Sequence, residues 1–163
     1  MNTTITIIDY GLGNLQSICN SFKYFGANTK VTDNPKEIEN ADHLVLPGVG
    51  AFGHGYSELL ARKLVEPIQK FVLQERPLLA ICLGMQLLLD SSQEFGSHNG
   101  LSLIPGEVLP IPKTGDNVRS NKIPRIGWFN LTLPESCANW DGTILEDINA
   151  EDYFYFVHSF MAV

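Results

Sequence analysis

Short apolar runs alternate with segments of helical periodicity along the first half of the chain, and this alternation limits the possible folds. Residues 5–8, 29–32, 44–46 and 78–81 have the residue types of strands, and the apolar run 44–46 is typical of a short buried strand. Helical segments follow them at residues 15–25, 35–40, 57–74 and 84–90. Strands separated by helices form βαβ units, so the sequence predicts a parallel sheet covered by helices on both faces.

Two of the predicted helices have features that define their limits. Asn14 can cap the first helix, and Gly26 can end it. The apolar face of this helix comprises Leu15, Ile18, Phe22 and Phe25. In the third helix, Pro67 should introduce a kink or divide the helix into two pieces.

The second half of the chain has a different pattern. After Gly96, turn residues predominate, with strand-like runs at residues 107–111, 126–133 and 153–157. No repeat or linker interrupts the sequence, so we expect one α/β domain over residues 1–163. The chain ends directly after an apolar run and without a closing helix, which predicts that a C-terminal part of the domain is missing.

The composition argues against several classes of protein. A formal net charge of −7 disfavours non-specific nucleic-acid binding, which requires basic patches. Three cysteines, Cys19, Cys82 and Cys137, are too few for a disulfide framework or a zinc site, and an odd number fits a reducing compartment. The N-terminus lacks the basic segment of a signal peptide, and no run reaches the roughly 20 apolar residues of a membrane helix. We therefore expect a cytoplasmic protein with no metal and no cofactor.

Cys82 lies where a predicted strand gives way to a helix, at the sheet edge where open α/β folds bind ligands. Ala80 and Gly84 flank it two positions away, which is the small-x-nucleophile-x-Gly pattern of a nucleophile elbow with cysteine in place of serine. N–H groups at a helix start favour a thiolate, and the Leu83 N–H could donate to an oxyanion. Alternatively, Cys82 is a small buried hydrophobic residue, the commoner fate of a free cysteine.

The Pro-Gly-Val-Gly segment at residues 47–50 follows another predicted strand and should lie on the same edge as Cys82. Gly48 and Gly50 would allow the backbone to aim an N–H group at an oxyanion. Two alternatives remain, an ordinary strand-to-helix loop and a phosphate-binding loop, although no Walker A motif is present. Gly11 and Gly13 form only the first half of a dinucleotide-binding pattern.

Five segments together resemble the class I, or triad, glutamine amidotransferases. In chain order they are "IDYGLGNLQS", "LPGVGAFGHG", "AICLGMQLLLD", "IPRIGWFNL" and "DYFYFVHSF". They cover nearly the whole chain, and within the family they are most similar to the glutaminase subunits of imidazole glycerol phosphate synthase. The resemblance implies a flavodoxin-like open sheet, mostly parallel, with an irregular and partly antiparallel second half.

The resemblance also implies a reaction. Cys82 would attack the side-chain amide of glutamine and form a thioester, releasing ammonia, and water would then free glutamate. The oxyanion donors would be Leu83 and the loop of Gly48, Val49 and Gly50, whose amide can point away in relatives until the partner is liganded. The substrate-binding residues implied are Gln86, Glu94 (for the α-amino group) and His158, Ser159 and Phe160 (for the carboxylate end).

The implied partner is a (β/α)8 synthase subunit that forms a heterodimer with the glutaminase in histidine biosynthesis. Ammonia would be protonated in bulk water, so the family delivers it through a channel to a phosphorylated aminoimidazole precursor. The resemblance makes Trp128 an interface anchor and places Tyr155 near the ammonia passage.

Several positions depart from the family pattern. Ala80 replaces the usual elbow glycine, and Arg125 and Phe129 are unusual residues that should lie on the docking face. The family's catalytic His-x-Glu segment falls after residue 163, so we expect negligible glutaminase turnover from the chain as given. Two alternative functions are a paralogous glutaminase supplying ammonia for amidination of a surface-polysaccharide sugar, and a non-catalytic flavodoxin-like binding module in which Cys82 only packs.

Overall fold

The computed structural model describes residues 4–113, 122–134, 137 and 139–163 and forms two compact units. The first unit comprises Met1–Pro110 together with Met161–Val163, and the second comprises Ile111–Phe160. Each unit is a group of residues in dense mutual contact. That residues 1–163 form a single domain stays a prediction.

A four-stranded parallel sheet organises the first unit. Its strands are β1 (Thr4–Ile8), β2 (Asn28–Thr32), β3 (His43–Leu46) and β4 (Leu78–Ala80), in the order β2-β1-β3-β4. The helices are α1 (Leu15–Tyr24), α2 (Pro35–Glu39), α3 (Phe52–Ala61), α4 (Val65–Leu73) and α5 (Leu83–Gln86). Successive β1 residues from Ile5 to Ile8 are all buried, so both faces of this strand are covered. The predicted parallel sheet is confirmed.

Helix α1 packs on the sheet as its apolar spacing predicts, except at its end. The Asn14 side chain caps the helix by accepting the N–H of Ser17. Leu15, Ile18 and Phe22 pack around Ile5, Ile7, Cys19 and Val45. The assignment of Phe25 to this face is wrong, because its side chain is 83% exposed. Phe25 is the C-cap, and Gly26 with φ of 80° turns the chain away from the helix there.

The long helix predicted at residues 57–74 is two helices, but Pro67 does not separate them. Helix α3 begins earlier than predicted, at Phe52, and the chain breaks at Lys63, which has φ of 58°. Pro67 lies in the first turn of α4. It is tolerated there because the first N–H groups of a helix have no intrahelical acceptor.

Helix α5 is shorter than the predicted span of residues 84–90. It ends at Gln86, and the following chain curls into turns. The Leu87 carbonyl accepts the N–H of Leu101, and the Leu88 carbonyl accepts the N–H of Leu103. The N–H groups that would extend the helix bond elsewhere: those of Leu88 and Leu89 donate three residues back, to Met85 and Gln86, and that of Asp90 donates to the Gly106 carbonyl.

Six further strands complete the described fold. They are β5 (Ser91–Ser92), β6 (His98–Asn99), β7 (Glu107–Pro110), β8 (Arg125–Asn130), β9 (Tyr153–His158) and β10 (Phe160–Ala162). A second sheet has the order β10-β7-β5-β6, with a parallel β5–β7 pair and an antiparallel β5–β6 pair. This mixture confirms the irregular, partly antiparallel second half. Strands of two or three residues are too short to show a period, and the sequence did not indicate them.

In the second unit, β8 and β9 form an antiparallel two-stranded sheet in which Trp128 lies opposite Tyr155. Strand β8 ends at Asn130, earlier than residue 133 as predicted. None of the described residues of this unit is fully buried. Across the described ranges, no helix has the length and apolar character needed to cross a bilayer.

Candidate active site

Three loops meet at the carboxyl edge of the parallel sheet, because β1, β3 and β4 are neighbours that run in the same direction. The Tyr10 hydroxyl, after β1, donates to the Pro47 carbonyl, after β3, at 2.8 Å. The Ile81 N–H, after β4, donates to the Leu46 carbonyl at 3.0 Å. Hydrogen bonds therefore connect the chain at the ends of β1, β3 and β4, at the edge where α/β folds hold ligands.

Cys82 occupies the turn between β4 and α5 in a backbone conformation that non-glycine residues rarely adopt. Its φ is 55° and its ψ is −117°. Strained backbone at a non-glycine residue is concentrated at functional sites, and a nucleophile elbow has this form. The side chain is exposed. The alternative reading of Cys82 as a buried packing residue is therefore wrong, and the predicted strained strand-to-helix turn is confirmed.

Two glycines allow the elbow and the 47–50 loop to approach closely. A Cβ atom on Gly84 would lie 2.0 Å from the Leu46 carbonyl oxygen. A Cβ atom on Gly48 would lie 2.6 Å from the Gly84 nitrogen and 2.8 Å from the Leu83 Cβ. None of these three distances is compatible with a side chain. The predicted adjacency of the elbow and the loop is confirmed, and it depends on backbone-to-backbone contact.

The loop and the elbow present several N–H groups near the thiol. Within the described residues, no hydrogen bond is formed by the N–H groups of Leu83, Gly48, Val49 or Gly50. Gly50 has φ of 102°, so this position favours glycine for its conformation, whereas Gly48 requires glycine for lack of space. Helix α5 has only four residues and hence a small dipole. The local N–H groups, more than a macrodipole, would stabilise negative charge here.

Tyr10 is a site residue that the sequence analysis missed. It is fully buried, and burial raises the pKa of its phenol above the ordinary value, with the negative charge of Cys82 raising it further. The phenol therefore stays protonated and acts as a hydrogen-bond donor. Its position two residues after β1, at the sheet edge that holds Cys82, was the signal in the sequence.

Glu94 reaches the same region from the far side of the loop. Its Oε2 atom accepts the N–H of Phe52 at 2.7 Å, at the first position of helix α3. Ala51, the N-cap of that helix, forms no side-chain cap, so Glu94 provides the cap from elsewhere in the chain. The carboxylate also lines an open cavity of about 310 Å³ with His54, Ser57 and His98 among others. Recognition of an α-amino group by Glu94 stays a prediction.

Gln86 follows Cys82 by one helical turn, and its N–H donates to the Cys82 carbonyl at 3.1 Å. Its side chain is half-buried at the end of α5. The spacing places the amide on the same stretch of chain as Cys82. A contact between Gln86 and substrate glutamine stays a prediction.

The remaining predicted substrate residues belong to the second unit. The His158 Nδ1 atom lies 2.8 Å from the Phe160 carbonyl, and the Ser159 carbonyl accepts the N–H of Ile111. Both His158 and Ser159 are half-buried. The first contact is local to the turn after β9, and the second ties this turn to Ile111. The role of this segment in holding a carboxylate stays a prediction.

Trp128 and Tyr155 lie on one face of the β8–β9 sheet, with ring centroids 5.5 Å apart in an edge-to-face arrangement. Arg125 and Phe129 do not share that face, because alternate residues of a strand point to opposite sides. The Arg125 guanidinium instead stacks over the Phe129 ring at 4.1 Å. The expectation that these two residues belong to the same docking face as Trp128 is therefore wrong.

Metal chemistry has no obvious site in the part of the chain that is described. No group of three or more His, Cys, Asp or Glu side chains is arranged to hold an ion there. The chemistry that the described geometry offers is that of an exposed thiol beside backbone N–H donors.

Comparison with known proteins gives a consistent family. The family model for class-I glutamine amidotransferases matches residues 6–163. Imidazole glycerol phosphate synthase subunit HisH of Legionella pneumophila is 47% identical over 161 residues, which are 99% of this chain and 76% of that protein. The subunit of the same name from Methanothermobacter thermautotrophicus is 48% identical over 159 residues, covering 97% of this chain and 73% of that protein.

A solved crystal structure of a glutamine amidotransferase has the same fold, with a TM-score of 0.64 at 14% identity. The match covers 94% of this chain and 70% of that one. This likeness agrees with the observed α/β architecture. From the family match over residues 6–163 and the identity to these relatives, the chain belongs to the class-I glutamine amidotransferases.

Proposed function

We propose that this protein is the glutaminase subunit of an imidazole glycerol phosphate synthase and works in histidine biosynthesis. The relatives that carry this name are 42–48% identical to the chain. The observation that carries the proposal is the exposed Cys82 thiol on a left-handed backbone, held against the 47–50 loop. An inert packing cysteine has no need for that conformation.

The reaction proposed at this site is hydrolysis of glutamine in two steps. The Cys82 thiolate attacks the side-chain amide carbon, and the carbonyl electron pair moves to oxygen to give a tetrahedral oxyanion. The C–N bond then breaks as the nitrogen takes a proton, which releases ammonia and leaves a glutamyl thioester. Water attacks the thioester, the C–S bond breaks, and glutamate and the thiol are regenerated. The sum is glutamine plus water giving glutamate plus ammonia.

Backbone N–H groups would stabilise the oxyanion in both steps. The Leu83 N–H lies directly after the nucleophile, and the 47–50 loop contacts the same residue through Gly48. Removing one such donor typically costs about 10²–10³ in turnover. The proton transfers are assigned to the histidine and carboxylate that the family resemblance implies.

The second unit offers a surface for the synthase partner. Strands β8 and β9 present five large apolar side chains on one face, namely Ile126, Trp128, Tyr153, Tyr155 and Val157, each more than half exposed. A contiguous apolar patch of this kind is typical of a protein-binding surface. We propose that a (β/α)8 synthase subunit covers it in a heterodimer and receives ammonia through a channel near Tyr155.

Covalent labelling tests the assignment of the nucleophile. A diazoketone analogue of glutamine should alkylate Cys82 with loss of dinitrogen, and ammonia release by the complex with its synthase partner should stop in proportion. The variant Cys82→Ser should neither label nor turn over. Cys137→Ser, which removes another exposed thiol, should do both normally.

Labelling that follows Cys137 in place of Cys82 would contradict the proposal, as would full turnover by Cys82→Ser. Adding the purified synthase subunit separates the leading function from a glutaminase that serves another enzyme. Stimulated ammonia release and formation of imidazole glycerol phosphate support the proposal, and failure of the two subunits to associate would overturn the proposed partner.

A further inference from the structure

Tyr10 makes a contact that the proposed chemistry does not yet use. Its side chain is fully buried, and its hydroxyl donates to the Pro47 carbonyl at 2.8 Å. A buried hydroxyl is costly unless it forms a hydrogen bond, so a phenylalanine would serve better if only the ring mattered. The hydroxyl therefore has a specific partner, and that partner is the residue that opens the proposed oxyanion loop.

Because the peptide group is planar, the Tyr10–Pro47 hydrogen bond also constrains Gly48. The Pro47 carbonyl and the Gly48 N–H belong to one planar trans peptide and point in opposite directions. Holding the carbonyl therefore also fixes the direction of the Gly48 N–H. Rotation of this peptide, about ψ of Pro47 and φ of Gly48, would break the Tyr10 hydrogen bond.

The surroundings of Gly48 and Gly50 support the same conclusion. Gly48 is enclosed by the Gly84 nitrogen, the Leu83 Cβ and the Tyr10 hydroxyl, all within 2.8 Å of a Cβ atom built on it. Gly50 has no neighbour within 4 Å of such an atom, and Val49 is 52% exposed. Freedom to reorient therefore begins after Gly48.

The far end of the loop is also held. Glu94 accepts the N–H of Phe52 at 2.7 Å, immediately after Ala51. The chain is thus tied at Pro47 by Tyr10 and at Phe52 by Glu94, with only residues 48–51 between the two hydrogen bonds. A short segment fixed at both ends can change its peptide orientations without moving its flanking elements.

We propose that Tyr10 is a positioning residue for glutamine hydrolysis, whose hydroxyl fixes the Pro47–Gly48 peptide and confines reorientation of the oxyanion loop to the peptide bonds that follow Gly48. The proposal rests on the proposed function. Tyr10 touches neither the substrate nor the transferred proton. It acts through the loop, by keeping the backbone N–H donors of the loop directed at the carbonyl oxygen of the substrate.

The variant Tyr10→Phe tests this role in the natural full-length protein bound to its synthase partner. It keeps the ring and removes the donor. Loosening an oxyanion donor should lower kcat for ammonia release about tenfold, which is less than the cost of removing a donor outright. The KM for glutamine and the rate of Cys82 alkylation by iodoacetamide should both stay within about twofold, because neither depends on the oxyanion donors.

Amide hydrogen exchange gives a second readout that a general packing defect would not produce. The buried Gly48 N–H, which belongs to the peptide that Tyr10 holds, should exchange faster in Tyr10→Phe, while the N–H groups of β3 keep their protection. Tyr24→Phe is the matched control, since Tyr24 is 84% exposed and lies far along α1 from this edge. It should leave kcat and exchange unchanged.

The outcomes separate the two proposals. Wild-type kcat in Tyr10→Phe, or equal loss of kcat and of Cys82 alkylation, would overturn the positioning role while leaving the glutaminase assignment intact. Uniformly faster exchange throughout β3 and the loop would also overturn it, because the hydroxyl would then support packing in general. A wild-type complex that releases no ammonia would overturn both proposals.

Discussion

The substitution Gly84→Ala tests whether close backbone contact builds the site. The added Cβ would lie 2.0 Å from the Leu46 carbonyl oxygen and 3.0 Å from the Pro47 carbonyl oxygen. Carbon–oxygen contacts rarely come closer than about 3.3 Å, so the elbow and β3 must separate by about 1 Å or more. Both partners are backbone, and no side-chain rotation can relieve the overlap.

Three effects, not all of the same sign, determine how much unfolding free energy Gly84→Ala should lose. Overpacking costs about 1–3 kcal/mol, and weakening the Ile81 to Leu46 hydrogen bond adds about 0.5–1.5 kcal/mol. Replacing glycine by alanine in a helix returns about 0.5–1 kcal/mol. The net loss of unfolding free energy should be about 2 kcal/mol. A displacement of about 1 Å at the oxyanion donors should lower kcat about 100-fold.

Urea unfolding and ammonia release by the complex measure the two effects separately. The control is Gly26→Ala, because Gly26 has φ of 80° and no neighbour within 4 Å of an added Cβ. Its left-handed backbone should cost about 1–2 kcal/mol, while turnover stays within about twofold. If Gly84→Ala were as stable and active as the wild type, the elbow and the loop would not be in contact, and the geometric argument would be refuted.

Three further substitutions test the site and its surfaces. Glu94→Gln keeps an oxygen for the Phe52 N–H but loses the charge that would meet an α-ammonium group. The KM for glutamine should therefore rise about 10- to 100-fold with little change in kcat. An unchanged KM would exclude this role for Glu94. Trp128→Ala should weaken synthase binding by about 2 kcal/mol or more, as measured by calorimetry. The control is Ile144→Ala, which removes another exposed side chain and should leave the affinity unchanged. Equal affinities of Trp128→Ala and the wild type would exclude Trp128 from the docking surface. The pKa of Tyr10 is raised in the folded state, so on raising the pH the phenol ionises in the unfolded chain before it ionises in the folded one. Its contribution to stability is therefore complete below the ordinary tyrosine pKa near 10, and it falls as the pH rises above that value. Unfolding free energy measured between roughly pH 9 and 11 should therefore decline less in Tyr10→Phe than in wild type, and parallel curves would argue against the burial of an ionisable phenol.

The central sheet could be predicted because its signals are local. Strand-like runs of three or four residues, the Asn14 cap and the glycine after α1 each act within one turn of chain, and each produced the expected element. The pattern around Cys82 is also local, since a small residue and a glycine two positions away on either side leave room for a sharp strand-to-helix turn. The predicted edge followed from the rule that parallel strands end on the same side of a sheet.

Helix limits depended on contacts with distant parts of the chain. Helix α5 stops at Gln86, where the Leu88 and Leu89 N–H groups donate only three residues back and the Asp90 N–H donates to the distant Gly106 carbonyl. The break between α3 and α4 lies at Lys63, although Pro67 was the stronger local signal. A proline in the first turn costs a helix little, and periodicity by itself does not show which turn is the first.

The sequence by itself predicted Cys82 as the proposed nucleophile, its elbow and the sheet edge on which they lie, because residue type and spacing restrict the backbone locally. Only the tertiary structure decided how the elbow meets the 47–50 loop. Gly84 and Gly48 are needed there because strands far apart in sequence bring backbone atoms within 3 Å of where a side chain would begin. The partnership of Tyr10 with Pro47 has the same origin: a hydrogen bond across 37 positions joins β1 and β3, and no periodicity or motif encodes it.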